Sequence, residues 1–443
     1  MKLNYLFIKS CFTIVCAAVF TVGLISAGAD CAEILTLEEL LVLSREANPL
    51  ILAANARVRQ QEGRLVMTRS DQMPQIYGSF GYEKLNNAPY VPAFANNGIT
   101  QIGIVPMGYE ETYRVALKLT QVLYSGGTLP ARTKAEKLLV TARTTELDRT
   151  VQQVGNGVRR AFYELQKSIS GAQVAAEALN LAKEHLRQVE IFYRTGAVAK
   201  NEVLRVQVSV SSSQLDLIRA ESKVKVAWKQ LERITGQSLE ERYTVGAGDF
   251  NLENFNVPED PLRRALDMRP ELKGLDATRN AALQTVKAVK GQMMPQVKLS
   301  AQALVADDEI FPSEEDEWRI GISAELRLVD SGKVHGQIVE AQAVAEELLY
   351  RIEDLKREIG LDVSKASVNL DSAIQMVKVA EDSVVQSEED YRMAMKRYQN
   401  QMGTNIDVLD ARLAMTDTRN ARTNAVAEAR TAYADLLYAM GEF

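Results

Sequence analysis

The feature that most constrains the fold of this chain is an internal duplication. Tyr193 corresponds to Tyr398 at an offset of 205 residues, and this offset holds through to the C-terminus. Nearer the N-terminus, the segment MPQI at Met73 corresponds to MPQV at Met294 at an offset of 221. A solenoid needs at least three repeats, so two copies of this length indicate one supersecondary unit present twice.

The offset changes because the first copy carries an insertion between Glu83 and Glu111, where we expect a variable, exposed loop. Each copy is expected to contain helices and one β-hairpin. The chain is then divided into a signal peptide at 1–29, a first repeat at 30–236 with its hairpin at about 75–120, an equatorial linker at 237–260, and a second repeat at 261–443 with its hairpin at about 296–326.

The N-terminus is typical of a secretory signal peptide. Lys2 and Lys9 form a basic region, residues 11–25 form a short apolar core, and Ala27-Gly28-Ala29 provides a small-residue cleavage site. The apolar run is too short for a comfortable membrane helix. Cys31 follows the expected cut, and its lipidation is an alternative, although Asp30 is a poor fit to a lipoprotein signal. The sequence therefore predicts an exported protein without a transmembrane helix.

Composition narrows the class of protein further. The net charge of −6 gives no indication of a nucleic-acid partner, since such proteins usually carry a basic face. Hydrophobic residues make up 46% of the chain, aromatic residues only 6% and charged residues 25%, which favours long helices or coiled coils. With three cysteines, two of them in the signal, no disulfide framework is expected.

Long proline-free stretches predict the helices. Proline is absent between Pro130 and Pro258 and after Pro312. Residues 130–192 predict one helix of about 95 Å, and residues 201–235 a return helix of about 52 Å, at 1.5 Å per residue. Asn48 is a candidate N-cap with Pro49 at the first helical position.

The helix that follows Pro49 makes up most of the difference in length between the long helix and the return helix. It is expected to run to about Gln72 and to span roughly 36 Å. Stacked end to end with the return helix, it nearly matches the long one, and the second repeat allows the same construction. Small residues such as Ala425, Ala429 and Ala434 permit close packing over this distance.

Period-two alternation predicts a β-hairpin in each repeat. From Thr112 to Thr120, apolar residues alternate with polar ones, and residues 318–326 repeat the pattern. Strands of about 9–11 residues suit a membrane-spanning barrel, while an amphipathic hairpin on a soluble core is the alternative. The membrane interpretation assigns barrel aromatics at Tyr77, Phe80, Tyr82, Tyr113 and Trp318.

Four strands with one apolar face cannot close a barrel alone, because about eight strands are the practical minimum. Open edges in lipid leave backbone groups unpaired at several kcal/mol each. Several chains must then share one barrel, and three would give twelve strands. The charged helices would extend from this barrel as a tube roughly 100 Å long.

No pattern in the sequence indicates catalysis or a metal or cofactor site. His185 and His335 lie far apart in helical sequence without a neighbouring motif, and we expect both on helix surfaces. The acidic run at 307–309 and 314–317 is a candidate for divalent cations at an outer surface, but a solvated charge run is the favoured interpretation. The sequence therefore predicts a protein that is not an enzyme.

These features together resemble one family. The duplication, LTLEELLVLSREANPLI at Leu35, the paired MPQI and MPQV, LYSGG at Leu123 and GTNIDVLDARL at Gly403 occur in order over essentially the whole mature length. In these respects the chain is similar to the TolC-type outer-membrane efflux proteins. The resemblance implies a homotrimer with a 12-stranded β-barrel in outer-membrane lipid and a periplasmic α-barrel of long antiparallel helices. It also implies docking to a periplasmic adaptor and an inner-membrane pump.

By the same resemblance, Asp407 and Asp410 match the aspartates that ring the periplasmic mouth. One turn apart, they share a helix face, and six carboxylates in a trimer would attract cations and gate the mouth. A capping box formed by Thr404 and Asp407 is the alternative, and the two roles are compatible. The first-repeat counterparts, Glu202 and Arg205, are of mixed charge, so only the second tip is expected to line the aperture.

The two helix-hairpin tips are the predicted adaptor-docking sites, with Tyr193 and Gly196 in the first tip and Tyr398 and Gly403 in the second. This chain departs from the family in the second tip, where Gln401 takes the position of Gly196. A passive exit duct, for efflux or for type I secretion, is the leading function. A non-conducting periplasmic tether is the alternative, although it would not need alternating hairpins.

Overall fold

The computed structural model describes residues 33–34, 36–94, 101–106, 108–239, 243–244, 255, 258–310 and 316–442. The predicted signal peptide and Cys31 lie outside the described residues, as does most of the linker at 237–260. Within them the elements follow in this order: β1 (Glu33–Ile34), α1 (Leu37–Ala47), α2 (Pro49–Ser70), β2 (Gln75–Lys84), β3 (Tyr90–Phe94), β4 (Gln101–Pro106), β5 (Glu111–Tyr124), α3 (Thr128–Arg194), α4 (Lys200–Thr235), β6 (Tyr243–Thr244), α5 (Pro261–Met268), α6 (Pro270–Gly291), β7 (Gln296–Asp307), β8 (Asp316–Glu325), α7 (Lys333–Gln399) and α8 (Asn405–Met440).

The two long helices have the same length, which confirms the prediction of one long helix per repeat. Both α3 and α7 contain 67 residues, which corresponds to about 100 Å at 1.5 Å per residue. Each begins directly after two residues with positive φ, Gly126-Gly127 in the first repeat and Ser331-Gly332 in the second. These matched left-handed turns redirect the chain from strand to helix.

The shorter helices are stacked end to end beside the long ones, as predicted. Asn48 caps α2 with its side chain and donates from Nδ2 to the Ile234 carbonyl near the end of α4, at 2.6 Å. A Cβ added to Gly236 would lie 2.8 Å from the Ala47 carbonyl oxygen. Only glycine allows this approach, so α2 and α4 abut closely. Gly441 approaches Arg269 in the same way in the second repeat.

The helices form a single layer. α3 contacts α2 and α4 on one side and α6 and α8 on the other, while α7 contacts α6 and α8. The lateral order is therefore α2/α4, α3, α6/α8, α7. This order leaves α2/α4 and α7 at the two free sides of the layer. α1 and α5 pack over the end-to-end junctions, where Leu40, Leu165 and Leu231 are fully buried in the first repeat and Ile359, Leu436 and Met440 in the second.

Strands from both repeats form one antiparallel sheet in the order β2-β5-β7-β8. β5 and β7 join the two repeats, with Lys118 opposite Gln302 and Leu117 opposite Ala303. Residues directly opposite one another share a face. The register therefore separates an apolar face, which includes Phe80, Val115, Ala301 and Ile320, from a polar face.

The register divides the five predicted barrel aromatics between the two faces of the sheet. Phe80, Tyr82, Tyr113 and Trp318 lie on the apolar face, and the rings of Tyr82 and Tyr113 are 4.9 Å apart. Tyr77 is opposite Lys118 on the polar face, because it is an odd number of residues from Phe80 and Tyr82.

The insertion between Glu83 and Glu111 is also more regular than predicted. β3 and β4 pair antiparallel within it, with Val91 opposite Val105. Its prolines are compatible with this arrangement because a two-stranded ribbon consists entirely of edge strands. The insertion is therefore partly a second hairpin and not simply a loop.

Candidate functional site

The two helix-hairpin tips pack against each other at one end of the layer. Val189, Val203 and Val206 from the first repeat form one buried cluster with Tyr398 and Val408 from the second. The cluster joins α3 and α4 to α7 and α8. Any residue at this end of the layer is therefore held by a small apolar core that both repeats share.

A capping box begins α8. The Asp407 backbone N–H donates to the Thr404 hydroxyl at 3.2 Å, and the Thr404 backbone N–H donates to the Asp407 carboxylate at 2.9 Å. Hydrogen bonds from Thr404 hold the pKa of Asp407 below its usual range. The carboxylate is therefore ionised at neutral pH and fixed at the tip.

Asp407 and Asp410, which were predicted to share a helix face, line one groove. The groove has a volume of about 480 Å³ and is also lined by Asp390 and Arg397. Both aspartates are exposed. Three carboxylates and one guanidinium give the groove a net negative charge, which is suited to attracting cations.

The turn of the second tip carries a strained residue. Gln401 has a φ of 59°, while its counterpart Gly196 has a φ of 78°. The hydrogen bonds of the two turns also match, because Ala197 N–H donates to Phe192 and Met402 N–H donates to Arg397, both at 2.8 Å. Gln401 thus keeps the turn geometry of the first tip without the glycine. Gly403 has a different role, since an added Cβ would approach the Arg397 Cβ to 3.0 Å.

We predict that Gln401→Gly stabilises the second tip by about 1 kcal/mol, because a left-handed conformation costs an L-residue roughly 1–2 kcal/mol. Amide hydrogen exchange at residues 395–410 should slow about five-fold. The matched control is Gly196→Gln, which should accelerate exchange in the first tip. Faster exchange in Gln401→Gly would contradict this account of the turn.

Tyr193 and Tyr398 occupy different environments despite their matched positions. Tyr193 is 43% exposed, whereas Tyr398 is 4% exposed. Burial raises the pKa of Tyr398 to about 12. Tyr398 therefore holds the two tips together, and Tyr193 is the tip tyrosine that is available at the surface. The adaptor-docking assignment of the tips stays a prediction.

His185 is not on the helix surface, contrary to the prediction for both histidines, whereas His335 is exposed. His185 is 1% exposed, and its Nε2 lies 2.7 Å from the Asn405 Oδ1 at the start of α8. Burial lowers its pKa, so the ring is neutral at neutral pH. The prediction was wrong because α8 packs across this face of α3, a contact between segments 220 residues apart.

Arg412 is a buried cation that the sequence analysis did not single out. Its guanidinium donates to the Ala178 carbonyl, Ser213 and Ser209, and no carboxylate among the described residues pairs with it. Several buried polar atoms nearby have no hydrogen-bond partner among the described protein atoms: His185 Nδ1, Tyr398 Oη, Asn405 Nδ2 and Arg412 Nε. All four atoms lie along the seam between the two tips.

Each free side of the helical layer carries an exposed apolar stripe. On α7 the stripe spans about 80 Å, and its members lie within roughly 40° of one another at 100° per residue. It consists of Val339, Tyr350, Leu361, Val368, Val379 and Met393. On α4 a second stripe consists of Leu204, Val208, Leu215, Ile218 and Val226. Both stripes begin within about two turns of the tips.

None of the helices in the described residues combines the length and apolar character needed to cross a membrane. Over the same part of the chain, no cluster of histidine, cysteine, aspartate and glutamate is arranged to hold a metal ion. The acidic run predicted at 307–317 is only partly described, because residues 311–315 lie outside the described ranges.

Comparison with known proteins identifies relatives over the whole length. The family model described as outer membrane efflux protein matches residues 40–237 and 262–442. The chain is 22% identical over 443 residues to the outer membrane efflux protein BepC of Brucella suis, with 99% of this chain and 92% of BepC covered. It is 20% identical to the outer membrane protein TolC of Escherichia coli, with 78% and 73% covered.

Solved structures share the fold. The outer membrane protein VceC of Vibrio cholerae superposes with a TM-score of 0.76 at 19% identity, covering 92% of this chain and 96% of VceC. The open state of the MtrE outer membrane channel of Neisseria gonorrhoeae gives a TM-score of 0.77 at 17% identity, covering 92% and 89%.

Proposed function

Because this chain belongs to the outer membrane efflux protein family, we propose that three copies close into one tube that serves as the exit duct of a tripartite efflux or type I secretion system. The family consists of outer-membrane channel proteins, and its trimers work with an adaptor and a pump.

The open edges of the sheet carry the proposal. Among the described residues, β2 and β8 each have one partner strand, and they run in opposite directions. Pairing β8 of one copy with β2 of the next continues the antiparallel sheet. Such a head-to-tail contact forms a ring when the rotation closes. Three copies give twelve strands, with the apolar face toward lipid and the polar face toward the interior.

The helical layer supports the same closure. Its free sides are α2/α4 and α7, and both carry an apolar stripe that begins near the tips. Contact between the α4 stripe of one copy and the α7 stripe of the next buries both. Sheet and helices therefore close with the same head-to-tail operation, which forms a continuous tube from the membrane to the tips.

The gate is assigned to Asp407 and Asp410. In a trimer they contribute six carboxylates at the narrow end, and the Thr404 cap fixes the position of the first aspartate. Fixed negative charge at a constriction attracts cations. The seam around His185 and Arg412 lies directly behind these residues and provides a joint along which the tip opens. The exposed Tyr193 turn is assigned to adaptor docking.

The gate is tested by the double variant Asp407→Asn and Asp410→Asn in planar bilayers. The amide at position 407 keeps an oxygen that accepts from Thr404, so the cap is preserved while the charge is removed. We expect block by La³⁺ to weaken at least ten-fold. Thr404→Ala removes the cap but keeps both acids, and it should retain the block. Unchanged block in the double variant would refute the gate assignment.

A further inference from the structure

We propose that the foot of the sheet, where it meets the helices, forms a binding site for multivalent anions inside the tube. Three cations from three segments surround one cavity of about 440 Å³: Arg132 on α3, Lys298 on β7, and Arg327 in the connection to α7. Glu325 is the one carboxylate that lines it. The inference rests on the proposed function, because the interior exists only in the assembled tube.

The sheet register places this cavity on the interior side. Lys298 is opposite Ser323 and Val122, and Glu325 is opposite Gln296. These positions belong to the polar face, which also includes Gln302 and Ser300. Arg132 and Arg327 line the same cavity, so their side chains reach the same side of the sheet. The site therefore faces transported solution and not lipid.

The three cations are available to a ligand. All three are exposed, and none forms an ion pair among the residues that the structure describes. The carboxylate of Asp330, close to Arg327 in sequence, accepts from the backbone N–H groups of Gly332 and Val334 at the start of α7. These hydrogen bonds and, to a smaller extent, the charge of Arg327 hold the pKa of Asp330 below its usual range. Unpaired cations around a concave site concentrate anions.

Further positively charged residues lie along the polar face, farther from the helices. Lys118 and Arg319 lie in one row with Tyr77 and Gln302, about 13 Å above Lys298 at roughly 3.3 Å per residue. Arg319 pairs with Glu317 at 2.6 Å, whereas Lys118 has no ion-pair partner in the described part of the chain. The lower half of the polar face is therefore cationic, in contrast to the acidic tips.

A packed junction fixes the geometry of the site. A Cβ added to Gly126 would lie 2.2 Å from the Gly291 carbonyl oxygen, and one added to Gly291 would lie 2.6 Å from the Gly126 carbonyl oxygen. Thr128 donates to the Ala288 carbonyl at 2.9 Å across the same contact. The start of α3 is thus held against the end of α6. Arg132, one turn further along α3, is consequently held at a constant distance from the foot of β7.

In a trimer this arrangement would supply nine cations and three carboxylates to one ring. A solute with several carboxylate or phosphate groups would contact cations of more than one subunit. The site would then hold anionic cargo after it has passed the acidic gate and before it enters the sheet. We therefore assign the ring to the recognition of multivalent anions, with citrate as the probe.

The test compares wild-type protein with the triple variant Arg132→Gln, Lys298→Gln and Arg327→Gln in phosphatidylcholine bilayers. Citrate should reduce the wild-type single-channel current, and the half-blocking concentration should rise at least ten-fold in the variant. Glu325→Gln should lower that concentration, because it removes the opposing charge. In a KCl gradient without citrate, the reversal potential of the triple variant should shift toward cation selectivity.

Equal citrate block in wild type and the triple variant, or no block of the wild type, would overturn the site. The single variant Lys298→Gln changes one exposed residue and should show a smaller shift in the same direction, so the test does not depend on the triple variant folding. Failure of the proposed function would appear differently, as an absence of conductance steps in every protein.

Discussion

The double substitution Val368→Asp and Val379→Asp is expected to abolish assembly of the tube while each chain still folds. The two residues are 67% and 66% exposed in the single chain and lie on the α7 stripe. In the closed tube they would be covered by α4 of the next copy. Burial of a valine contributes about 1.5–3 kcal/mol, and an unpaired carboxylate in its place adds a desolvation cost.

Three interfaces would each lose both valines, so roughly six unfavourable sites accumulate per tube. Sedimentation in detergent should show wild-type protein at the mass of three chains and the double variant at the mass of one. Circular dichroism should report unchanged helix content, because neither residue is buried within its own chain. The matched control is Asn369→Asp, which introduces the same acid next to Val368 but about 100° around the helix, off the stripe.

A double variant that remained trimeric would show that the α7 stripe faces solvent or another partner. Contact between the α4 and α7 stripes would then no longer support closure of the ring, and only the open sheet edges would support it. Loss of trimer in the Asn369→Asp control would indicate a general sensitivity of α7 to added charge, which also contradicts the stripe.

The second large effect concerns the two faces of the sheet. Ala301→Lys is expected to prevent insertion of the sheet into a membrane, whereas Gln302→Lys should be tolerated. The two residues are neighbours near the middle of β7, but Ala301 shares the apolar face with Leu119 and Ile320, and Gln302 shares the polar face with Lys118 and Arg319.

A lysine near the bilayer midplane on the lipid face costs about 2–4 kcal/mol per site. Three copies in one tube make the total several times larger. Heat-resistant trimer recovered from reconstituted vesicles should fall at least ten-fold for Ala301→Lys and remain near the wild-type amount for Gln302→Lys. Equal loss in both variants would mean that the face assignment, and with it the interior position of the cationic ring, is wrong.

The helices of this chain were predictable because their signals are local. The caps at Asn48 and Thr404, the glycine turns and the absence of proline determine where α2, α3 and α8 begin. The end-to-end stacking also followed from length alone. A long helix and a shorter return helix leave a gap that only a second short helix fills.

Contacts between distant segments were not predictable in the same way. The pairing of β5 with β7 joins residues more than 170 positions apart, and no local signal specifies it. The burial of His185 has the same origin, because Asn405 covers it only after α8 packs on α3. The position of Tyr77 on the polar face, in contrast, could be predicted from the sequence, because strict alternation from Phe80 places it there.

The candidate site was predicted in its charges but not in its packing. The spacing of Asp407 and Asp410 predicted a shared helix face, and both residues line one groove; the Thr404 capping box was also predicted from the sequence. The unequal burial of Tyr193 and Tyr398 could not be predicted, because the two tyrosines occupy matched positions in the two repeats. Their difference arises where the first tip covers the second, which a duplicated sequence does not reveal.

Single-channel recording of the purified protein in planar bilayers tests whether the assembled tube conducts. Discrete conductance steps are expected only for the trimer, and La³⁺ should block them in wild type but not in the Asp407→Asn and Asp410→Asn variant. A folded trimer that inserts into lipid but carries no current would contradict the duct and favour a non-conducting tether.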